Sequence, residues 1–174
     1  MDEPDQISNH FPTSDSLTGA LSRHAFLEAS VSEFRKFQRY QHHFALLIAD
    51  IDHFAEFNQC YSCEVGDQVL QQLVASILQT LREQDLVGRL GGDEFGILLL
   101  ENDTDNAQKT AQRLQQNWAA LGFKPTQDSA YLTISIGIST PQEEDRSFEQ
   151  VFLRADHALG IAKQNGGNRV EIEI

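Results

Sequence analysis

The chain is 174 residues long, the length of one ordinary domain, and its 40% hydrophobic and 22% charged residues fit a globular fold rather than a disordered or fibrous one. With 26 acidic against 13 basic residues the formal net charge is -13, a surface that repels a phosphate backbone and argues against direct nucleic-acid binding. No apolar run reaches membrane-spanning length, so no direct membrane contact is expected, and the polar, acidic opening MDEPDQISNH does not read as a signal peptide.

Residues 1–14 hold two of the four prolines and little periodicity, and read as a flexible lead or linker remnant before a domain expected over 15–174. From Ser22, a plausible N-cap, Phe26, Leu27, Ser30, Phe34, Phe37 and Tyr40 recur at helical spacing. Phe44 to Ala49 is a nearly continuous apolar run ending in Asp50-Ile51-Asp52, the pattern of a buried central strand with acids at its carboxyl end. Val69, Leu70, Leu73, Val74, Ile77, Leu78 and Leu81 predict an amphipathic helix.

Leu86 to Leu90 and Phe95 to Leu100 are apolar segments divided by Gly91-Gly92-Asp93-Glu94, which predicts a tight hairpin with acids at its tip. A helix follows over about Asp105 to Leu121, stopped by Gly122. Leu132, Ile134, Ile136 and Ile138 alternate with Thr133, Ser135, Gly137 and Ser139, as in a half-buried strand. The last helix runs from about Ser147 to Asn165, with Gly166 and Gly167 as its stop, and Arg169 to Ile174 forms a closing strand.

The order from Phe44 is β-α-β-β-α-β-α-β, whose first six elements match the ferredoxin-like βαββαβ motif. The expected fold class is therefore α/β (α+β), with a central, mostly antiparallel sheet flanked by helices. In that topology the first strand and the hairpin end at one sheet edge, which brings Asp50 and Asp52 close to Asp93 and Glu94. Four acids in one cleft repel unless a cation shares them, and hard Mg²⁺, which takes one or two carboxylates plus phosphate oxygens, suits such sparse acids. Gly91 and Gly92 lack a β-carbon, so their backbone can approach a phosphate.

The string Gly91-Gly92-Asp93-Glu94-Phe95 resembles the signature of the GGDEF family of diguanylate cyclases. Asp15-Ser16-Leu17-Thr18-Gly19, Asp50-Ile51-Asp52-His53-Phe54, Ser135-Ile136-Gly137-Ile138 and the block from Ala155 to Lys163 are similar to other family blocks, in order and at family spacing. The resemblance implies a homodimer that condenses GTP into cyclic di-GMP with Mg²⁺, Mn²⁺ being the alternative ion. It implies Asp50, the Ile51 carbonyl and Asp93 as metal ligands, and Asp93, Glu94 and Asp50 as the catalytic group, Glu94 serving as an acid. It further implies Asn58 and Asp67 on the guanine edge, Lys163 on phosphate, and Phe54, Gly91 and Gly92 in the substrate site.

The sequence departs from the family at Ala55, Gln59, Cys63 and Gly167. Ala55 and Gly167 replace cations expected to face the triphosphate, so a weak or inactive module that binds GTP or cyclic di-GMP stands as the alternative. Arg82-Glu83-Gln84-Asp85 has the spacing of the family's product-inhibition site, with Arg113 as its secondary arginine; an exposed i,i+3 ion pair is the plainer reading. Cys60 and Cys63 form a C-x-x-C pair without a second ligand pair, which favours reduced thiols over a zinc or redox site and points to the cytoplasm. A sensor domain upstream is compatible with the chain. His24, His42 and His43 read as surface residues, and Trp118 as core.

Overall fold

The computed structural model describes residues 12–123 and 131–174. Its elements are α1 (Arg23–Tyr40), β1 (Phe44–Ile51), α2 (Phe54–Cys60), α3 (Cys63–Thr80), β2 (Leu86–Gly91), β3 (Glu94–Leu100), α4 (Thr104–Leu121), β4 (Ile134–Ser139), α5 (Phe148–Gln164) and β5 (Val170–Ile172). The sheet order is β2-β3-β1-β4-β5. β1 runs antiparallel to both β3 and β4, β2 antiparallel to β3, and β5 parallel to β4. The first four strands thus have the ferredoxin-like order expected from the sequence, and β5 is added at the far edge.

The central position of β1 explains its unbroken apolar run. Ala45, Leu47, Ala49 and Ile51 join the core built with α3 and α4, whereas Phe44, Leu46 and Ile48 join the core built with α1 and α5. Because side chains alternate across a strand, the even-numbered positions at its end, Asp50 and Asp52, inherit the α5 side. Burial of each large apolar side chain stabilises by about 1.5–3 kcal/mol. Trp118 closes the α4 side, its indole N–H donating to the Leu132 carbonyl at 2.8 Å.

The α1 side is keyed by close contact. Gly88 and Gly96 are directly opposite across β2 and β3, and the fully buried Phe26 ring lies over both. A β-carbon at either glycine would fall 2.4 Å from a Phe26 carbon. Ser22 caps α1 by accepting the Ala25 N–H, and Asp103 caps α4 by accepting the Asn106 N–H.

The structure differs from the sequence expectation in several places, among them the closing strand, which is Val170–Ile172 rather than Arg169 to Ile174. The helix expected from Val69 begins at Cys63, since an apolar stripe marks only the buried turns and the exposed first turns leave no such mark. The seven-residue α2 was not anticipated, being too short to display a period. The fourth strand begins at Ile134 rather than Leu132, because the Leu132 N–H and carbonyl serve Phe123 and Trp118 instead of a ladder. Of the expected lead, residues 1–11 lie outside the described residues, and Ser14 bridges Leu21. Among the described residues no helix is long and apolar enough to cross a membrane.

Candidate functional site

The site forms where β1 ends. Asp50 pairs in register with Glu94 on β3 and with Ser135 on β4, so the two carboxylates are direct cross-strand neighbours. The hairpin carrying Asp93 is held from outside: Arg23 donates to the Leu90 carbonyl at 2.7 Å, and Arg89 donates through Nε to the Gly92 carbonyl at 2.9 Å. From the last turn of α5, Lys163 Nζ reaches Asp50 Oδ1 at 2.9 Å.

Asp50, Asp93 and Lys163 open on a cleft of about 430 Å³ whose lining also includes Ile51, Asp52 and Phe54, while Glu94 stands beside Asp50 outside that lining. Glu56 brings a fourth carboxylate, against one ammonium. Burial pushes Asp50 up to about 6; the hydrogen bond and charge of Lys163 oppose this, while the charges of Asp93 and Glu94 add to it. Glu94 is raised as well, by burial and then by Asp156, with Lys163 and Arg23 opposing and Asp93 adding to the rise.

Such an excess of negative charge fits a divalent cation. Asp50, Ile51 and Asp93 all line the same cleft. Among the described residues no three ligating side chains are gathered into a closed cage. The donor set matches a hard ion that keeps waters and completes its sphere with phosphate oxygens.

The sequence grouped Asp52 with the other acids, and it does line the same cleft, but its carboxylate is already taken up by hydrogen bonds. Its Oδ1 accepts from Ser135 at 2.7 Å, and its Oδ2 from Thr133 at 2.6 Å and from the Asn168 N–H at 2.8 Å. The hydroxyls at Thr133 and Ser135, one alternation apart, were the signal for this role in the sequence. Two other contributors went unread: Asp156, whose charge reaches Glu94, and Arg23.

The remaining expected residues fall in three places. Phe54 lines the cleft and stacks on Phe57, ring centroids 5.9 Å apart. Asn58 and Asp67 are exposed on α2 and α3, and the Asn58 side chain packs against Gly66, which directly precedes Asp67. Gly91 and Gly92 line a separate recess of about 370 Å³ with Asp15, Arg23 and Arg89. Arg82, Asp85 and Arg113 share a third cavity, of about 430 Å³, with Asn102, Asn106 and Lys109. There the Asp85 carboxylate accepts the Arg82 and Leu100 backbone N–H groups, each at 3.0 Å, rather than pairing with the Arg82 guanidinium. Of the departures, Ala55 and Gly167 line the main cleft, while Gln59 and Cys63 are exposed; Cys60 is exposed as well, and both thiols are free.

Comparison with known proteins agrees with this arrangement. Residues 13–169 match the family model described as "Diguanylate cyclase, GGDEF domain". The chain is 33% identical over 169 residues to the probable diguanylate cyclase DgcT of Escherichia coli (strain K12), covering 96% of this chain and 37% of that protein. It is 34% identical over 158 residues to the diguanylate cyclase DgcP of Pseudomonas aeruginosa, covering 91% of this chain and 23% of that protein. The chain thus spans well under half the length of either. The crystal structure of the GGDEF domain of DgcB from Caulobacter crescentus, in complex with c-di-GMP, superposes with a TM-score of 0.85 at 26% identity, over 93% of this chain and 96% of that one. By sequence, fold and signature hairpin, the chain belongs to the GGDEF family.

Proposed function

We propose that the chain is the catalytic unit of a diguanylate cyclase that acts as a homodimer. Each subunit holds one GTP, each 3′-hydroxyl attacks the α-phosphorus of the other nucleotide, two pyrophosphates leave, and cyclic di-GMP closes. The observation that carries this reading is the pairing of Asp50 with Glu94 beside Asp93, with Asp50 held at about 6 by burial and by its acidic neighbours, against the pull of Lys163. Asp50, the Ile51 carbonyl and Asp93 are the residues that would hold Mg²⁺, with Mn²⁺ as the alternative. When bound, the ion lowers the pKa of the attacking hydroxyl and neutralises phosphate charge.

The chain's own residues bind and orient. Lys163 offers its ammonium to phosphate from the Asp50 side of the cleft. Asn58 and Asp67 offer an acceptor and donor pair for the guanine edge, whose unmet hydrogen bonds would reject adenine. Glu94, raised by burial and by Asp156, is poised to exchange a proton. Turnover in the cytoplasm, and control by a sensor elsewhere in a longer protein, belong to the same proposal. Incubation with GTP and Mg²⁺ followed by nucleotide chromatography tests it; a dimeric sample that yields no cyclic product across a range of GTP overturns it.

A second reading has its own observation. Arg82, Lys109 and Arg113 gather three cations around one cavity of a chain whose net charge is -13, whereas the main cleft has a single ammonium. A module that binds cyclic di-GMP there without making it fits this balance. Measurable turnover eliminates it.

A further inference from the structure

We propose that Asp52 is a positioning residue: its carboxylate ties the turn after α5 to the ends of β1 and β4, and so sets Lys163 opposite Asp50. Asp52 is 7% exposed, and its three donors come from 81, 83 and 116 residues away in the chain. Hydrogen bonds to a carboxylate are short and about twice as strong as neutral ones. With three donors in place on two oxygens, little of its acceptor capacity is left for a metal.

The turn it holds is fixed on both its helix side and its sheet side. Gly166, Gly167 and Asn168 all have positive φ, at 104°, 72° and 51°. On the helix side, the Gly167 N–H donates to the Ala162 carbonyl and the Gly166 N–H to the Lys163 carbonyl, a Schellman-type closure. On the sheet side, the Asn168 N–H donates to Asp52, just after β1, and the next residue is held to β4 by the Ile136 N–H on the Arg169 carbonyl at 2.9 Å. A β-carbon at residue 167 would sit 2.8 Å from Asp52 Oδ1, so the carboxylate occupies the space a side chain would need. Lys163 lies immediately before this clamp, and both Lys163 and Gly167 line the cleft. Asp50 at the end of β1 and Asp52 in the turn just after it therefore act on the same stretch of chain: one pairs with the lysine, the other helps fix the turn that follows it.

The inference rests on the cyclase reading for its effect on nucleotide, and its test separates the two. In nucleotide-free protein, Asp52→Asn should speed hydrogen exchange of the Asn168 amide by about tenfold or more, because a single neutral oxygen then serves three donors and the exposed Asn168 amide loses its charged acceptor. With Mg²⁺ and 3′-deoxy-GTP, which cannot cyclise, the same variant should weaken nucleotide binding about tenfold, and with GTP its KM should rise by more than its kcat falls. In the Lys163→Met background, Asp52→Asn should add little further loss, since the aspartate acts through the lysine. Ser135→Ala, which removes one of the three bonds, supplies the same comparison with a smaller effect if Asp52→Asn fails to fold. Unchanged exchange at Asn168, or losses that simply add in the double variant, overturns the proposal. A wild-type chain that binds no nucleotide would sink the cyclase reading alone, leaving the exchange result to judge Asp52.

Discussion

Lys163 Nζ lies 2.9 Å from Asp50 Oδ1, an ammonium from the end of α5 set against a carboxylate from the end of β1. The pair holds together the two elements whose ends form the cleft, and it supplies from within the chain the positive charge that four carboxylates call for. A metal and a nucleotide would divide these partners between them, the ion taking Asp50 and the phosphate taking Lys163.

Replacing Lys163 by Met should therefore act twice. The Asp50 carboxyl, relieved of its neighbour's charge and hydrogen bond, should titrate above its present value of about 6, as read from carboxyl carbon shifts. Affinity for 3′-deoxy-GTP should fall by roughly tenfold, the size of one hydrogen bond to a charged group. A titration that does not move would mean that the pair exerts no electrostatic influence on Asp50.

Asp50 also sets a pH dependence. Its carboxyl is raised by burial in the fold, so between its ordinary value of 3.8 and about 6 the folded chain holds a proton that the unfolded chain has released. The contribution of Asp50 to stability is then most favourable below 3.8 and declines as pH rises to about 6. With a chelator present, Asp50→Asn should have a higher Tm than wild type near neutral pH, and the gap should close toward about pH 4. A gap that stays constant with pH would contradict this account. Mg²⁺ affinity of the wild type should rise over the same interval, because the ion competes with that proton.

Arg82→Ala should weaken cyclic di-GMP binding by about tenfold or more, through loss of a guanidinium fork suited to phosphate. Its Tm should change by no more than about 1 °C, since exposed side chains without partners contribute little. The guanidinium makes no ion pair or hydrogen bond among the described residues; the backbone N–H is what holds Asp85. Calorimetry with cyclic di-GMP, alongside a thermal melt, reads both effects, and undiminished binding would place the product elsewhere.

Gly96→Ala should cost about 1–3 kcal/mol or more, because its β-carbon would meet the buried Phe26 ring at 2.4 Å in a close-packed core. Combining it with Phe26→Leu should cost less than the two single changes added, since the smaller side chain vacates the space. Denaturant unfolding of the three variants measures this, and strict additivity would show that ring and strand do not touch.

The sequence by itself determined the sheet and its site edge: the apolar run at β1, the Gly-Gly hairpin and the alternation of β4 are local patterns, and the order of elements forces Asp50 and Asp93 to one side. It also supplied the family, because five separated blocks agree at fixed spacing. The tertiary structure decided what each acid does. Asp50 and Asp52 look alike in the string Asp50-Ile51-Asp52, yet one faces Lys163 across an open cleft and the other is spent on Thr133, Ser135 and Asn168. Likewise Arg82 and Asp85 have the spacing of an ion pair, and the fold instead turns the aspartate onto backbone amides. The reason is common to both cases: a carboxylate's role is set by which donors stand within about 3 Å of it, and those donors come from segments that only folding brings near.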